Sequence, residues 1–256
     1  MTTLDILTSL TLDGAPPEVA LAHGRPNPQT MARLTGIFFI VTFLTSIPPV
    51  LTLYVPVLSD PAYILGSGSG TGLSWGALLE LLLIFANIGS AVTLFPIARR
   101  QSEALALGFV ASRIIESAFI AMGIVALLAI GTLRLSAGGA DPGAMTAIGK
   151  ALVAIHDWTF RLGPGVVCGL GNGLILGTLM WRSRLIPRAL TIFGLVGGPL
   201  ILLSGAAVVL GAINGLSIWQ GIATVPEFFW ELGFGIWLTV RGFEPKALSA
   251  LMGDAR

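Results

Sequence analysis

Eight ionisable side chains stand inside long apolar runs of this chain: Glu80, Arg113, Glu116, His156, Asp157, Arg161, Glu227 and Glu231. Their spacing is that of helical neighbours. Arg113 and Glu116 stand at i and i+3, while Asp157–Arg161 and Glu227–Glu231 stand at i and i+4, so each pair can meet on its own helix. Glu80 and Asn87 are seven apart and share a face, and Asp157, Arg161, Pro164, Cys168 and Asn172 follow one stripe. Five carboxylates against two arginines leave three acids without a counter-charge when all are ionised and His156 is neutral. In a low dielectric such acids hold protons or bind a cation. That favours a proton, a metal ion or an organic cation over an anion as guest. The expected ligand-binding set is Glu80, Asn87, Arg113, Glu116, His156, Asp157, Arg161 and Glu231.

The same residue types admit catalysis. His156 beside Asp157, with Glu80, Glu116 and Glu231 opposite, can supply a general base, its orienting carboxylate or metal ligands. A carboxylate-rich site suits magnesium, calcium or manganese better than zinc. There is no HExxH, paired-histidine or G-x-S-x-G motif, so neither catalytic residues nor a metal or cofactor can be named. Each element also has a structural reading. Arg113–Glu116 and Asp157–Arg161 can be ion pairs that fix helix packing. Glu227 can be an acid in the first turn after Pro226, and His156 a satisfied core or interface histidine. Glu80 and Glu231 have no local partner, which weakens that reading for them.

These residues need a scaffold that brings them together away from lipid. The 256 residues are 54% hydrophobic and 11% charged, with a mean hydropathy of +0.89. Ordinary soluble domains carry roughly 25% charged residues, so lipid must solvate much of this chain. Six apolar stretches are long enough to span, at about 34–54, 74–97, 105–132, 150–181, 189–211 and 222–241. The expected fold is an all-α polytopic bundle of about six transmembrane helices. A flexible tail over 1–30 precedes a membrane domain over 31–243, and a second tail covers 244–256.

Basic residues set the orientation. Ten flank one set of span ends (Arg25, Arg33, Arg99, Arg100, Arg182, Arg184, Arg188, Arg241, Lys246 and Arg256), against Arg134 and Lys150 on the other. Both termini and both tails are therefore expected in the cytoplasm of a bacterial-type inner membrane. Tyr54, Tyr63, Trp75 and Trp219 then fall at the outer interface and Trp181 at the inner one, as an aromatic belt.

A charge near a helix centre costs about 2.5–3.5 kcal/mol, so seven facing lipid would cost up to about 20 kcal/mol. A typical fold is stable by only about 5–15 kcal/mol. Most of these groups must face one another or a wet cavity. Glu80, Asp157, Arg161, Glu227 and Glu231 lie in the outer halves of their spans, and Arg113 and Glu116 near the middle. A polar funnel open outward and closed inward is the expectation. Pro164 is expected to bend the long fourth span. Gly165, Gly169, Gly173 and Gly177 form a bare stripe for close helix approach, within one chain or across a dimer seam.

The strings MARLTGIFFIVTFLTSIPP, DPAYILGSG, ANIGSAVTLFPIARRQSEALALGFVASRIIE, HDWTFRLGPG, GNGLILG, SRLIPR and GFEP set unusual polar words inside apolar spans. Over about residues 31–245 the chain resembles a bacterial multi-pass membrane family named for its domain of unknown function, 4386. The resemblance implies that membrane setting and brings neither an activity nor assigned site residues.

Three functions fit these observations. One is an acid-rich pocket that binds a small molecule, proton or cation, as in a carrier, although six spans without an inverted repeat are a poor match to common carriers. Another is an intramembrane enzyme, metal-dependent or built on His156 and carboxylates, acting on a lipid-type substrate. The third is a non-catalytic assembly or regulatory component whose charges serve only helix packing. The expected partners are membrane lipid and a small-molecule or cationic ligand; oligomeric state is not legible. No basic-aromatic interleaving points to nucleic acid. The single cysteine, Cys168, excludes an intramolecular disulfide and a zinc cluster built on cysteines. Lys150 and Lys246 are the only lysines and neither is mid-span, which excludes a retinal Schiff base.

Overall fold

A computed structural model describes residues 27–66, 70–136 and 138–253. Residues 1–26, most of the expected N-terminal tail, lie outside the described residues. The described chain is helical throughout: α1 (Pro28–Pro48) runs into a π-helical turn (Pro49–Leu53), followed by α2 (Val55–Ser59) and a 3-10 turn (Tyr63–Leu65). Next come α3 (Thr71–Gln101), α4 (Glu103–Leu135) and α5 (Pro142–Phe160). Two π-helical stretches (Arg161–Val167 and Gly169–Leu176) carry α5 into α6 (Gly177–Ser183), and α7 (Arg188–Val209), α8 (Ile218–Val240) and α9 (Pro245–Gly253) complete the chain.

Helix starts follow local chemistry. The side chains of Asn27, Ser102, Asp141 and Ser217 each accept a hydrogen bond from a backbone N–H in the first turn of α1, α4, α5 and α8. Pro28 and Pro142 sit at first helical positions, where the missing N–H has no bond to lose. α6 ends at Arg184 and α8 at Gly242, both left-handed. Gly242 has no room for a Cβ because Gln29 Oε1 occupies that space. Gln29 accepts from the Phe243 N–H and donates to the Phe243 carbonyl, each at 2.8 Å, so the start of α1 and the end of α8 share one face.

Five helical segments are long and apolar enough to cross a membrane: Pro28–Leu53, Thr71–Gln101, Glu103–Leu135, Pro142–Ser183 and Arg188–Val209. The expected sixth span, α8, has 23 residues, about 34 Å of helix. It falls outside that group, and Gln220, Glu227 and Glu231 dilute its hydropathy. Its outward residues still fit a lipid surface, with Ile222, Phe229, Ile236 and Val240 about half exposed or more. The chain is a multi-pass membrane bundle.

The spans close into a ring: α1 packs beside α3, α3 beside α4, α4 beside α5 and the π-helical stretches, these beside α7, α7 beside α8, and α8 back on α1. Two apolar clusters fill its ends. At the arginine-rich face, Phe39, Leu94, Leu176, Trp230, Phe234, Leu238 and Phe243 form the larger one. At the opposite face, Tyr54, Val57, Ile64, Leu73, Leu127 and Ile130 form the smaller. The segment after Leu53 folds back as α2 and the 3-10 turn to supply it, so apolar side chains pack at the end of the ring where a funnel was expected to open. Tyr54 is likewise buried, not a belt residue. α9, within the expected C-terminal tail, packs Ala247, Leu248, Leu251 and Met252 on the larger cluster.

The glycine stripe serves close packing within the chain. A Cβ on Gly169 would meet Ile201 and the Gly198 carbonyl, and one on Gly177 would press on Leu195. Gly173 lies against Gly198, so the π-helical backbone touches α7 directly.

Candidate intramembrane polar pocket

Between the two apolar clusters the ring is polar. On α4, Arg113 Nη1 donates to Glu116 Oε2 at 2.8 Å, as the i, i+3 spacing predicts. The pair is 2% and 6% exposed. The Arg113 guanidinium also lies over the Phe39 ring of α1 at 5.2 Å. Asn87 of α3 faces Glu116, with neither its amide nitrogen nor its oxygen in hydrogen-bonding geometry.

Glu80 occupies the end nearer the smaller cluster. The Tyr54 hydroxyl donates to Glu80 Oε2 at 2.9 Å, and both residues are buried. Gly76, one turn before Glu80, leaves space for the Tyr54 ring. The His156 ring meets Tyr54 edge-on at 5.7 Å. His156 Nδ1 lies 3.7 Å from Asp157 Oδ1, too far for a hydrogen bond, and is buried without a partner among the described residues.

The other end is built by α8 and the π-helical stretches. Cys168 Sγ donates to Glu231 Oε1 at 2.9 Å, and Asn172 Nδ2 donates to the same oxygen. Trp230 Nε1 donates to the Asn172 carbonyl at 2.8 Å and fixes that turn against α8. Glu227 packs against Gly197 of α7 and Gly173 of the π-helical stretch, with one carboxylate oxygen within 4.8 Å of Cys168 and Glu231. It is 2% exposed, neither carboxylate oxygen has a hydrogen-bond partner among the described residues, and a Cβ on Gly173 or Gly197 would lie 2.7 Å from Oε2.

A cavity of ≈ 130 Å³ joins these groups, enough for several waters or a small guest. Six of the eight expected residues line it: Glu80, Asn87, Arg113, Glu116, His156 and Glu231. Thr42, Ser46, Thr159 and Cys168 add further polar atoms. Asp157 and Arg161 do not line it. The α-helical stripe drawn through 157, 161, 164, 168 and 172 breaks at Arg161, where the chain turns π-helical and the wider turn shifts the phase. The expected Asp157–Arg161 pair does not form: Arg161 lies over Trp158 at 5.4 Å and reaches Gly215, while Asp157 Oδ1 lies 3.7 Å from His156 Nδ1.

Asp157 and Arg161 instead line a second, mostly apolar cavity of ≈ 960 Å³ bounded by α5, the π-helical stretch, α7 and α8. Several of its walls, including Trp158, Val209, Val225 and Phe229, are exposed on the bundle surface, so it is a lateral groove. His156, Phe160 and Pro164 border both cavities. These three residues form a wall common to the polar pocket and the groove.

Although Glu227 stood in the ionisable constellation and Cys168 on the stripe with Asn172, the expected ligand-binding set left out Glu227, Tyr54 and Cys168. The i, i+4 spacings of Glu227–Glu231 and Cys168–Asn172 carried the signal for the first and last. Nothing local marked Tyr54, because the π-helical turn at Pro49–Leu53 is what brings it to Glu80.

The chain matches the family model described as Domain of unknown function (DUF4386) over residues 34–242. No curated protein and no solved structure matches it.

Proposed function

The chain belongs to the DUF4386 family, and from its geometry we propose that it is an inner-membrane protein, termini cytoplasmic, whose acid-rich pocket binds a proton or small cation. The observation that carries this reading is the charge around the cavity. Glu80, Glu116 and Glu231 line it with one guanidinium, Arg113, which Glu116 already engages. Two acids from two other helices thus face the same space without an ion pair among the described residues, and intramembrane acids of that kind serve ion or proton binding. Support for the orientation comes from the basic residues that cluster at one face. A carrier cycle is the natural extension, since the long π-helical break in one span is an element able to change its pitch.

The test is reconstitution in liposomes with an internal pH indicator. Glu80→Gln is expected to reduce proton movement driven by an imposed cation gradient, with protein incorporation unchanged. Equal movement in wild type, Glu80→Gln and empty liposomes removes the reading.

The lateral groove favours a second reading, an enzyme acting on an amphiphile. Its apolar walls suit an acyl chain, and they end at His156, whose Nδ1 has no partner. Under that reading His156→Gln abolishes turnover of a lipid substrate and leaves proton movement intact.

A further inference from the structure

The two glutamates of α8 and the thiol of Cys168 converge at the pocket wall, with one ligand atom of each within 4.8 Å of the other two. We propose that Cys168, Glu227 and Glu231 form a site for a divalent transition-metal ion, with Asn172 as an adjoining amide ligand. This rests on the reading of the pocket as a cation-binding centre and names the class of cation.

Glu227 is the independent observation that points to a ligand. It is 2% exposed, neither oxygen meets a donor among the described residues, and one of them lies within 4.8 Å of Glu231 and Cys168, in a recess that exists only because Gly173 and Gly197 lack a Cβ. Burying a carboxylate without a donor or a cation is unfavourable, and a bound ion removes that penalty. Asn172 adds a second orphan: it is fully buried and its Oδ1 has no partner. A half-turn of its amide places Oδ1 where Nδ2 now faces Glu231 and Sγ.

Donor chemistry selects the ion. Magnesium and calcium take oxygen ligands alone. One thiolate with two carboxylates suits zinc, cobalt(II) or ferrous ion, which bind sulfur at about 2.3 Å and carboxylate oxygen at about 2.0–2.2 Å in the zinc case. Charge agrees, because Arg113 is committed to Glu116 and the triad has no ion-pair partner of its own among the described residues. On coordination the Cys168 S–H bond breaks, its proton leaves to water in the pocket, and metal bonds to Sγ and the carboxylate replace the S–H···O contact with Glu231. No electron is transferred.

The test uses the full chain in detergent, stripped with a chelator and titrated with cobalt(II). Cys168 is the only cysteine, so a thiolate-to-cobalt charge-transfer band has one source. That band is expected to saturate at one equivalent. Glu227→Gln should weaken binding at least about tenfold, since loss of even an outer-sphere partner has an effect of that order. Cys168→Ser should remove the band, and Asp157→Asn, outside the pocket, should leave it unchanged. X-ray absorption on the wild-type protein loaded with zinc needs no variant, and a shell with one sulfur is expected. An oxygen-only shell, or no charge-transfer band, overturns the site. If that happens while the Glu80-dependent proton movement persists, the pocket reading stands alone; if that movement is also absent, both fall.

Discussion

α4 and α8 each bring two ionisable groups to the middle of the ring, and they treat them oppositely. On α4 the i, i+3 pair is internally neutral: Arg113 holds Glu116 at 2.8 Å and rests on Phe39. On α8 the i, i+4 pair is two acids, with Glu231 sharing donors from Cys168 and Asn172 and Glu227 having none. Two helices of one ring, not packed side by side, thus show a charge pair made to be inert and a pair left open. A buried ion pair completed on one helix needs nothing further, whereas adjacent unpartnered acids call for something the chain does not supply.

The largest effect should come from breaking the closed pair. Arg113→Met leaves Glu116 without its cation and is expected to destabilise by about 3–5 kcal/mol, read as a fall in melting temperature in detergent. Replacing Glu116 by Leu in the same protein should recover most of that loss, because no charge is then orphaned. Next is Tyr54→Phe, which strips Glu80 of its one hydroxyl donor and should cost about 1.5–3 kcal/mol. Gly173→Ala drives a Cβ into the Glu227 carboxylate and the α7 backbone, and should cost about 1–3 kcal/mol by overpacking. The smallest change is expected for Glu227→Gln, under about 1 kcal/mol, because that side chain leaves no hydrogen-bonded partner behind. A large loss there would mean that α8 is as closed as α4.

How much was legible in the sequence follows from what sets each feature. Span positions and the membrane class follow from apolar length, and the chain needs no tertiary information to declare them. Glu80, Arg113, Glu116 and Glu231 line the cavity because a charge in hydrocarbon must turn inward, whatever the packing, and Asn87 follows from sharing the helical face of Glu80. Asp157 and Arg161 were misplaced because α-helical phase was assumed across Arg161, where the backbone is π-helical. Pro164 announces a break there, but its sense and length depend on how Gly169, Gly173 and Gly198 let the chain lie on α7. The apolar packing at the expected funnel mouth was hidden for a similar reason: Val57 and Ile64 look like loop residues until they fold back over Leu127 and Ile130.

Infrared difference spectroscopy of the purified protein, with and without zinc, addresses the pocket most directly because it reads buried carboxyl groups one by one. Carboxyl bands that shift on adding the ion, and that vanish in Glu231→Gln and Glu227→Gln, are expected. A spectrum in which no carboxyl band responds to either zinc or a pH step would mean that these acids are mere packing, and that the centre of the ring binds nothing.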